Sequence, residues 1–504
     1  MTTTSRRGEP TPPISLDAPA SAVRSRFGSR AVPVSAELVD RLRSVCARVA
    51  TDDETCVEAG RDWWPLTMVW ALEGEIPARP AAVARPSTPA EVAAVVACCN
   101  EARVPMTPAA GRSGVCGASV PVFGGVVLDL TGLSGITGVD DASLVVGVQP
   151  GTFGDVFEDA LRAEHGLTVG HWPQSMGLST VGGWLACRGA GQYSTRYGKI
   201  EDMVIGLEVV LADGRTIRTG GRAPRSATGP DLTQLFVGSE GTLGVITHAE
   251  LRAHPVPASD RRAAYGFTSF AGGLEACRRV LRRGATPAVL RLYDQTEAAR
   301  NFSIQDRCLL IVLDEGDPAL IDAVMAVVAE ECHAITGAED LDPEVVDRWL
   351  THRNDVSALE STIRRGIVVD TIEIAARWAA LPAMYEEAVG ALQKIDGTLA
   401  ASAHQSHAYT DGACLYFTFA GLPGEDADRY YRDAWDAVMA VTEQHGAAVS
   451  HHHGIGLNRG RVLPGTYGPA FGVLAGLKAQ LDPNGILNPG KLGLPSPFGE
   501  APWP

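Results

Sequence analysis

Three short segments between Pro108 and Ile246 carry so few bulky side chains that they constrain the fold more than any other feature. They are Pro108-Ala109-Ala110-Gly111-Arg112-Ser113-Gly114-Val115-Cys116-Gly117, Gly177-Leu178-Ser179-Thr180-Val181-Gly182-Gly183-Trp184 and Gly238-Ser239-Glu240-Gly241-Thr242-Leu243-Gly244-Val245-Ile246. Glycine admits positive φ and lets backbone N–H groups come close to a ligand. Successive N–H groups in such turns form a concavity that binds anions, and the serine and threonine hydroxyls add donors. One loop of this kind is as often a plain tight turn. Three in one region suit a dinucleotide with a pyrophosphate at its middle. No G-x-G-x-x-G sits between a strand and a helix with an acidic residue beyond it, which disfavours a nicotinamide-binding βαβ unit.

At 504 residues the chain exceeds one compact core, so two or three domains are expected. Its formal charge of −16 argues against nucleic acid and anionic membranes as partners, because both need a basic surface. A few local arginines still bind an anion inside an acidic protein, and a small-molecule substrate is the expected partner. The ten cysteines include the vicinal pair Cys98-Cys99 but no C-x-x-C and no zinc-ligand spacing. Buried, reduced thiols are expected. The start, MTTTSRRGEPTPP, lacks the apolar core of a signal peptide. No run of about 18 apolar residues is present to span a membrane. A cytoplasmic location is expected; peripheral membrane contact and a homodimer stay open.

The first thirty or so residues, rich in serine, proline and arginine, read as a loose tail. A helical pattern follows over Ser35 to Val49, then Trp63, Trp64 and Trp70, which read as packing anchors. Ser87-Thr88-Pro89-Ala90-Glu91 is a helix start, with a hydroxyl cap, proline at the first position and an acidic first turn. Strands are expected over Val104 to Thr107, Gly125 to Leu130 and Ser143 to Val148, and Thr152 is expected to cap a helix ending before Gly166. Val204 to Leu211 and Arg215 to Thr219 flank Asp213-Gly214, the signal of a type I′ hairpin. After a strand over Gly244 to Thr247, His254-Pro255-Val256-Pro257 reads as a domain exit. Helices then alternate with strands, and the turn-rich Leu481 to Lys491 reads as a return loop. The expected units are a tail and helical segment (1–82), a mixed α+β domain (83–257), a second domain (258–480) and a return segment (481–504).

Further motifs sharpen this picture. GHWPQS from Gly170, STVGGW from Ser179, YGKIED from Tyr197, RSATGPD from Arg225 and GSEGTLGVIT from Gly238 precede RLYD from Arg291. DGACLYF from Asp411, SHHHGIG from Ser450 and LDPNGILNPGKL from Leu481 follow. In order and spacing, from Arg85 to Leu492, the chain resembles the vanillyl-alcohol-oxidase/PCMH-type FAD-linked oxidase superfamily. Within it the chain is most similar to alkylglycerone-phosphate (alkyl-dihydroxyacetone-phosphate) synthase and its bacterial FAD-linked oxidase relatives. The resemblance implies an α+β fold: a discontinuous PCMH-type FAD-binding domain of two α+β subdomains, under an α/β cap of the FAD-linked oxidase C-terminal type.

It also implies FAD contacts. In the first loop these are Pro108, Ala109, Ala110, Gly111, Arg112, Ser113 and Gly114; in the second, Gln174, Ser175, Met176, Gly177, Leu178, Ser179 and Thr180. Cys187, Arg188, Gly189 and Ala190 follow, and then Glu240, Gly241, Thr242, Leu243, Gly244, Val245 and Ile246. Relatives that attach the flavin covalently carry a histidine in the first loop. Gly111-Arg112-Ser113-Gly114 has none, so FAD is expected to be non-covalent, with Cys116 and Cys187 as structural thiols.

His451-His452-His453 is the densest cluster of candidate groups. On a strand, His451 and His453 would share a face and His452 would point away. Imidazoles at this spacing chelate metals, but no Asp, Glu or Cys lies close in sequence to complete a shell, and no metal is assigned. A solvated or hydrogen-bonded cluster is the bland alternative. By resemblance, the run lies beside the flavin as in the synthases. Tyr416 alone reads as a half-buried strand tyrosine; by resemblance it matches the synthases' acid/base. A phenol with a pKa near 10 needs a cation or imidazole nearby to work at neutral pH. His171 aligns with an active-site histidine of the synthases, although by itself it reads as a loop cap.

One position departs from the synthases. They carry an arginine upstream of a D-T-x-E segment that holds the substrate phosphate. Carried back from Asp370-Thr371-Ile372-Glu373, this position falls on Leu359, with Arg364 and Arg365 nearby as substitutes. Leucine cannot replace a bidentate guanidinium. Three functions therefore stand side by side. The first is ether-bond synthesis, in which an alcohol replaces an acyl group without net redox. The second is oxidation of a 2-hydroxy acid or related alcohol, and the third is flavin binding without catalysis.

Overall fold

Thr88 Oγ1 accepts from Glu91 N at 3.2 Å while Glu91 reaches back to Ser87 N at 2.8 Å, fixing the start of the helix Pro89–Ala102. That helix buries Val92, Val95 and Val96 against Met106, Val126 and Leu128. These belong to a four-stranded sheet in the order Val49–Ala50, Ala82–Ala84, Val126–Asp129, Met106–Ala109, whose last two junctions are parallel. The computed structural model describes residues 7–221, 223–424 and 426–502.

A second, antiparallel sheet runs Thr216–Gly220, Val204–Val210, Val245–Arg252, Val145–Val148, Ile136–Asp140. Helices Gly154–His165 and Val181–Cys187 bury Phe157, Leu161, Trp184 and Leu185 in its core. The first glycine loop leaves Met106–Ala109, the second enters the helix Val181–Cys187, and the third enters Val245–Arg252. All three therefore lie where these two layers meet. The fold is the α+β, PCMH-type arrangement expected from the motifs.

The third sheet has seven strands, antiparallel at every junction. Its order is Glu339–Leu341, Ser259–Phe267, Cys308–Gly316, Val289–Tyr293, Thr398–Ala408, Gly412–Gly421, Val368–Arg377. Helices Phe270–Arg282, Pro318–His333, Leu381–Gln393 and Ala427–Gln444 join its apolar face in one core, around Leu292, Ala403, Leu415, Phe417 and Ile372. Beyond the helix Phe471–Leu481, the chain returns to the first sheet. Met106 N donates to Ile486 O at 2.7 Å, Asn488 N donates to Met106 O at 2.8 Å, and Lys491 Nζ donates to Val120 O at 2.7 Å.

Three local expectations fail. Residues 7–31 are not a loose tail: Ile14, Val23 and Phe27 are buried, and Trp63 Nε1 donates to Thr11 O at 2.9 Å. Isolated apolar residues among prolines and serines show no periodicity, so their burial left no pattern to read. Thr152 is not the helix cap, which is Phe153; its Oγ1 instead donates to Gln149 O at 2.7 Å and accepts from Gly135 N at 2.8 Å. The hairpin at Asp213-Gly214 forms, but only Gly214 has positive φ, at +82°. A type I′ turn needs it at both central residues.

Candidate active site

The three loops close one side of a cavity of about 970 Å³. The loops are in close contact: a Cβ at Gly111 would lie 2.3 Å from the backbone O of Leu178, and one at Gly241 would lie 2.9 Å from the ring Cγ of Pro108. Glycine is required at both positions, and Gly241 also has φ +72°. Arg112, Glu240 and Arg188 hold left-handed backbones at φ +54°, +50° and +57°, which side chains other than glycine rarely adopt. Such strain gathers at ligand clamps. The backbone N–H groups of Gly111, Arg112, Ser113 and Gly114 donate to no acceptor among the described residues. A row of free N–H groups on turned backbone suits a pyrophosphate. The cradle therefore fits a dinucleotide on its own geometry.

Of the expected cofactor contacts, all seven residues from Pro108 to Gly114 line the cavity. So do Gln174, Ser175, Leu178, Ser179, Thr180, Cys187, Gly189, Ala190, Glu240, Gly241, Gly244, Val245 and Ile246. Met176 and Leu243 are turned into the core with Trp184. Gly177 lies off the wall, Thr242 Oγ1 donates to Ser239 O at 2.7 Å, and Arg188 pairs with Glu201 at 3.4 Å. The Glu240 carboxylate accepts from Ile455 N at 2.6 Å and Gly456 N at 2.9 Å, tying the third loop to the segment after the histidine run. His171 is fully buried on the cavity wall, its ring 4.5 Å from Trp184, and neither ring nitrogen has a partner. Burial pushes it down to about 3, so it is neutral. The ten cysteines are free, and only Cys187 is not fully buried.

The seven-stranded sheet supplies the facing wall. Its register places Tyr293 opposite His404, His404 opposite Tyr416 and Tyr416 opposite Glu373, one row across four strands. Directly opposed residues share a face, so this row stands together. The Tyr416 ring stacks on His404 at 4.8 Å, and its hydroxyl lies 3.2 Å from His453 Nε2 and accepts from Thr371 Oγ1 at 3.1 Å. Between Gln405 and Ala408 the register shifts, two residues opposing the single Cys414. This bulge brings both Ser406 and His407 to the cavity.

The histidine run is not a strand. Glu373, 0% exposed, gathers it by accepting from Ser450 Oγ at 2.8 Å, His453 N at 2.9 Å and His451 N. Arg459, also 0% exposed, donates to the same carboxylate at 2.9 Å. Burial alone would raise Glu373; the Arg459 guanidinium overcomes it and holds the carboxyl well below its ordinary range. His452 and His453 reach the cavity, whereas His451 turns back to Tyr409 Oη at 2.9 Å. Burial holds His453 at about 4 and His452 at about 3, so these rings are neutral bases. Burial raises Tyr416, which stays a protonated hydroxyl.

Leu359 lies on the cavity wall among apolar neighbours, in one cluster with Trp63, Val115, Leu178, Val356 and Val369. Neither suggested substitute reaches the cavity: Arg364 pairs with Asp17 and Glu360, both at 3.0 Å, and Arg365 is off the wall. The cations that do line it are Arg112, Arg291, Arg300, Arg348 and Arg353. Arg353 lies over Tyr193, Trp172 and Trp349, at 5.0, 5.4 and 5.4 Å, and its Nη1 is buried without a partner. Arg291 donates to His404 Nε2 at 2.6 Å, and its Nε is unpartnered. Sequence reading missed Arg353, His404 and His407. The alternation His404-Ser406, counted back from the turn before Gly412, was the available signal for the second of these.

Comparison with known proteins agrees with this geometry. Residues 80–220 match the FAD binding domain family and residues 256–492 match the C-terminal domain of FAD linked oxidases. The chain is 31% identical over 481 residues to the FAD-linked oxidoreductase YgcU of Escherichia coli O157:H7, covering 91% of this chain and 98% of the relative. It is 28% identical to alkyldihydroxyacetonephosphate synthase of Dictyostelium discoideum, covering 83% and 74%. Against the glycolate oxidase subunit GlcD of Bacillus subtilis the figures are 29%, 82% and 89%. A solved alkyldihydroxyacetonephosphate synthase shares the fold with a TM-score of 0.78 at 24% identity, over 95% of this chain and 89% of that one. Solved p-cresol methylhydroxylase gives 0.75 at 20%, over 91% and 96%. The chain belongs to the FAD-linked oxidoreductases, and its cofactor is FAD. No described helix is long and apolar enough to cross a membrane.

Proposed function

We propose that this enzyme carries out flavin N5 chemistry on an amphiphilic substrate, an oxygenated anionic head bearing an apolar chain, as the synthases' lipid-precursor chemistry requires. The observation that carries this reading is the division of the cavity. Arg353, Arg291, Tyr416, His452 and His453 lie on one part of the wall, and Trp63, Val356, Leu359 and Val369 on another. On this reading Leu359 belongs to a surface for a chain rather than to a damaged phosphate site.

The glycine loops would hold FAD without a covalent link, and its N5 would supply the group that reacts with the substrate. The free N–H groups of Arg353 and Arg291 bind the head, since an unpaired buried donor gains most from an anionic acceptor. Tyr416 donates its hydroxyl proton toward the reacting oxygen. Neutral His453, 3.2 Å from that hydroxyl, takes up the proton released at the substrate carbon. His171 offers a neutral ring from the cofactor side, and the apolar wall excludes water.

A second reading, oxidation of a 2-hydroxy acid, is favoured by the same two guanidinium groups, which hold a carboxylate as well as a phosphate. Anaerobic mixing separates the two. Bleaching of the flavin by 2-hydroxy acids removes the exchange reading. Exchange of an acyl group for a labelled long-chain alcohol, with the flavin oxidised at the end, removes the oxidase reading. If neither occurs with intact holoprotein, flavin binding without catalysis stands.

A further inference from the structure

Beside the Tyr416 row, three imidazoles converge on a point that the proton chemistry above leaves unused. His407 comes from the bulge near the end of Thr398–Ala408; His451 and His452 come from the loop gathered by Glu373. One ring nitrogen of each lies within 4.8 Å of the other two. His451 Nδ1 and His452 Nδ1 are 3.0 Å apart, and the His407 ring lies 4.7 and 4.8 Å from the rings of His451 and His452.

The outward-facing nitrogens of two of these rings are held from behind. His407 Nδ1 meets Ser194 Oγ at 2.7 Å, His451 Nε2 meets Tyr409 Oη at 2.9 Å, and the two hydroxyls are 3.2 Å from each other. Hydroxyls placed this way fix the ring orientation and leave the inner nitrogens to a shared ligand, the arrangement that supports metal-binding histidines. Zinc–nitrogen bonds of about 2.0–2.1 Å separate tetrahedral ligands by about 3.4 Å, so the cluster closes on an ion with shifts under about 1 Å.

We propose that His407, His451 and His452 form a three-nitrogen site for one divalent cation of the zinc class, with its fourth position toward the cavity. His407 and His452 line that cavity, which gives the open position its direction. A neighbouring set, Glu373, Cys414 and His452, also lies within 4.8 Å. It is the poorer site, because Glu373 already accepts from Ser450, Arg459 and two backbone N–H groups, and burial keeps the Cys414 thiol protonated. The histidine run has no further ligand close by in sequence; the third comes from a strand some forty residues earlier (407 against 451).

The test uses FAD-loaded protein dialysed against a chelator. Cobalt(II) is added while its ligand-field bands are followed beyond the flavin absorption, and zinc(II) binding is measured by calorimetry. One cobalt per chain, displaced by one zinc, is expected. His407→Gln should abolish it, and Ser194→Ala, which keeps all three ligands, should weaken it about 10–100-fold. Exposed His165→Ala should bind as the parent does. Absence of one-to-one binding in the parent, or parent-like affinity in His407→Gln, overturns the site. If His407→Gln fails to retain flavin, Ser194→Ala decides, and unchanged affinity there overturns the proposal.

Discussion

Glu373→Gln is the perturbation whose consequence the structure specifies best. The carboxylate and Arg459 are each 0% exposed and 2.9 Å apart. Removing one charge leaves Arg459 facing neutral groups: Gly454 O at 2.7 Å, Glu373 O at 3.1 Å, Ser450 Oγ at 3.0 Å, Cys116 Sγ at 3.6 Å and the Trp435 ring at 4.9 Å. Stranding one member of a buried pair costs about 3–5 kcal/mol. The new amide also turns an N–H group toward one of its former donors. Urea unfolding at pH 7, followed by the fluorescence of released FAD, reads the loss directly. It should be compared with Arg459→Met and with the double variant. If the loss arises from the stranded charge, the double variant is less destabilised than the sum of the singles, by about 1–3 kcal/mol. A loss in Glu373→Gln below about 1 kcal/mol, or strict additivity, would refute the stranded-charge account. The sign with pH is also fixed. A carboxyl held below its ordinary 4.5 contributes stability that is present above that pH and lost as pH falls. Glu373→Gln should therefore flatten the acid limb of the stability curve.

Other outcomes are equally definite. His171, His404 and His407 are fully buried and held low by desolvation, His171 to about 3 and His404 to about 4. The unfolded chain protonates them first, so their contribution is complete above about 6.5 and falls by about 4 kcal/mol per pH unit below it, a decline that urea midpoints between pH 7 and 5 will reveal. Tyr416→Phe should retain FAD and lose turnover by about 100-fold or more; full turnover would exclude its proton role. Gly111→Val, whose Cβ would meet Leu178 O at 2.3 Å, should abolish FAD retention while circular dichroism keeps the fold's signature. Arg353→Met should raise KM for the anionic substrate about tenfold or more and leave the flavin spectrum unchanged.

What was legible in the chain was local. The absence of side chains at Gly111 and Gly241 is a property of single residues, as is the cap at Thr88 followed by Pro89, and both could be read directly. The catalytic wall was not local. Tyr293, His404, Tyr416 and Glu373 come together only through the register of four strands, and a slip of one residue would send each to the other face. His407 depends on a bulge, which alternation cannot foresee. The arginine carried to Leu359 shows the same limit. Counting along the chain found a leucine, while Arg353, six residues earlier (353 against 359), reaches the cavity from the helix end after His352.

The two halves of the site are also mechanically one. Glu240 stands in the third glycine loop at φ +50°, and its carboxylate holds the N–H groups of Ile455 and Gly456, just beyond the histidine run. Asn488, on the returning segment, donates to Glu240 O at 2.7 Å and to Ala118 O at 3.0 Å. Glu373 holds the other end of the same run from the seven-stranded sheet. The cofactor cradle and the proton-handling groups thus share a single braced loop. Displacing any one anchor moves the histidines relative to the flavin cradle, and with them the 3.2 Å spacing of His453 Nε2 from the Tyr416 hydroxyl that sets both groups beside one substrate.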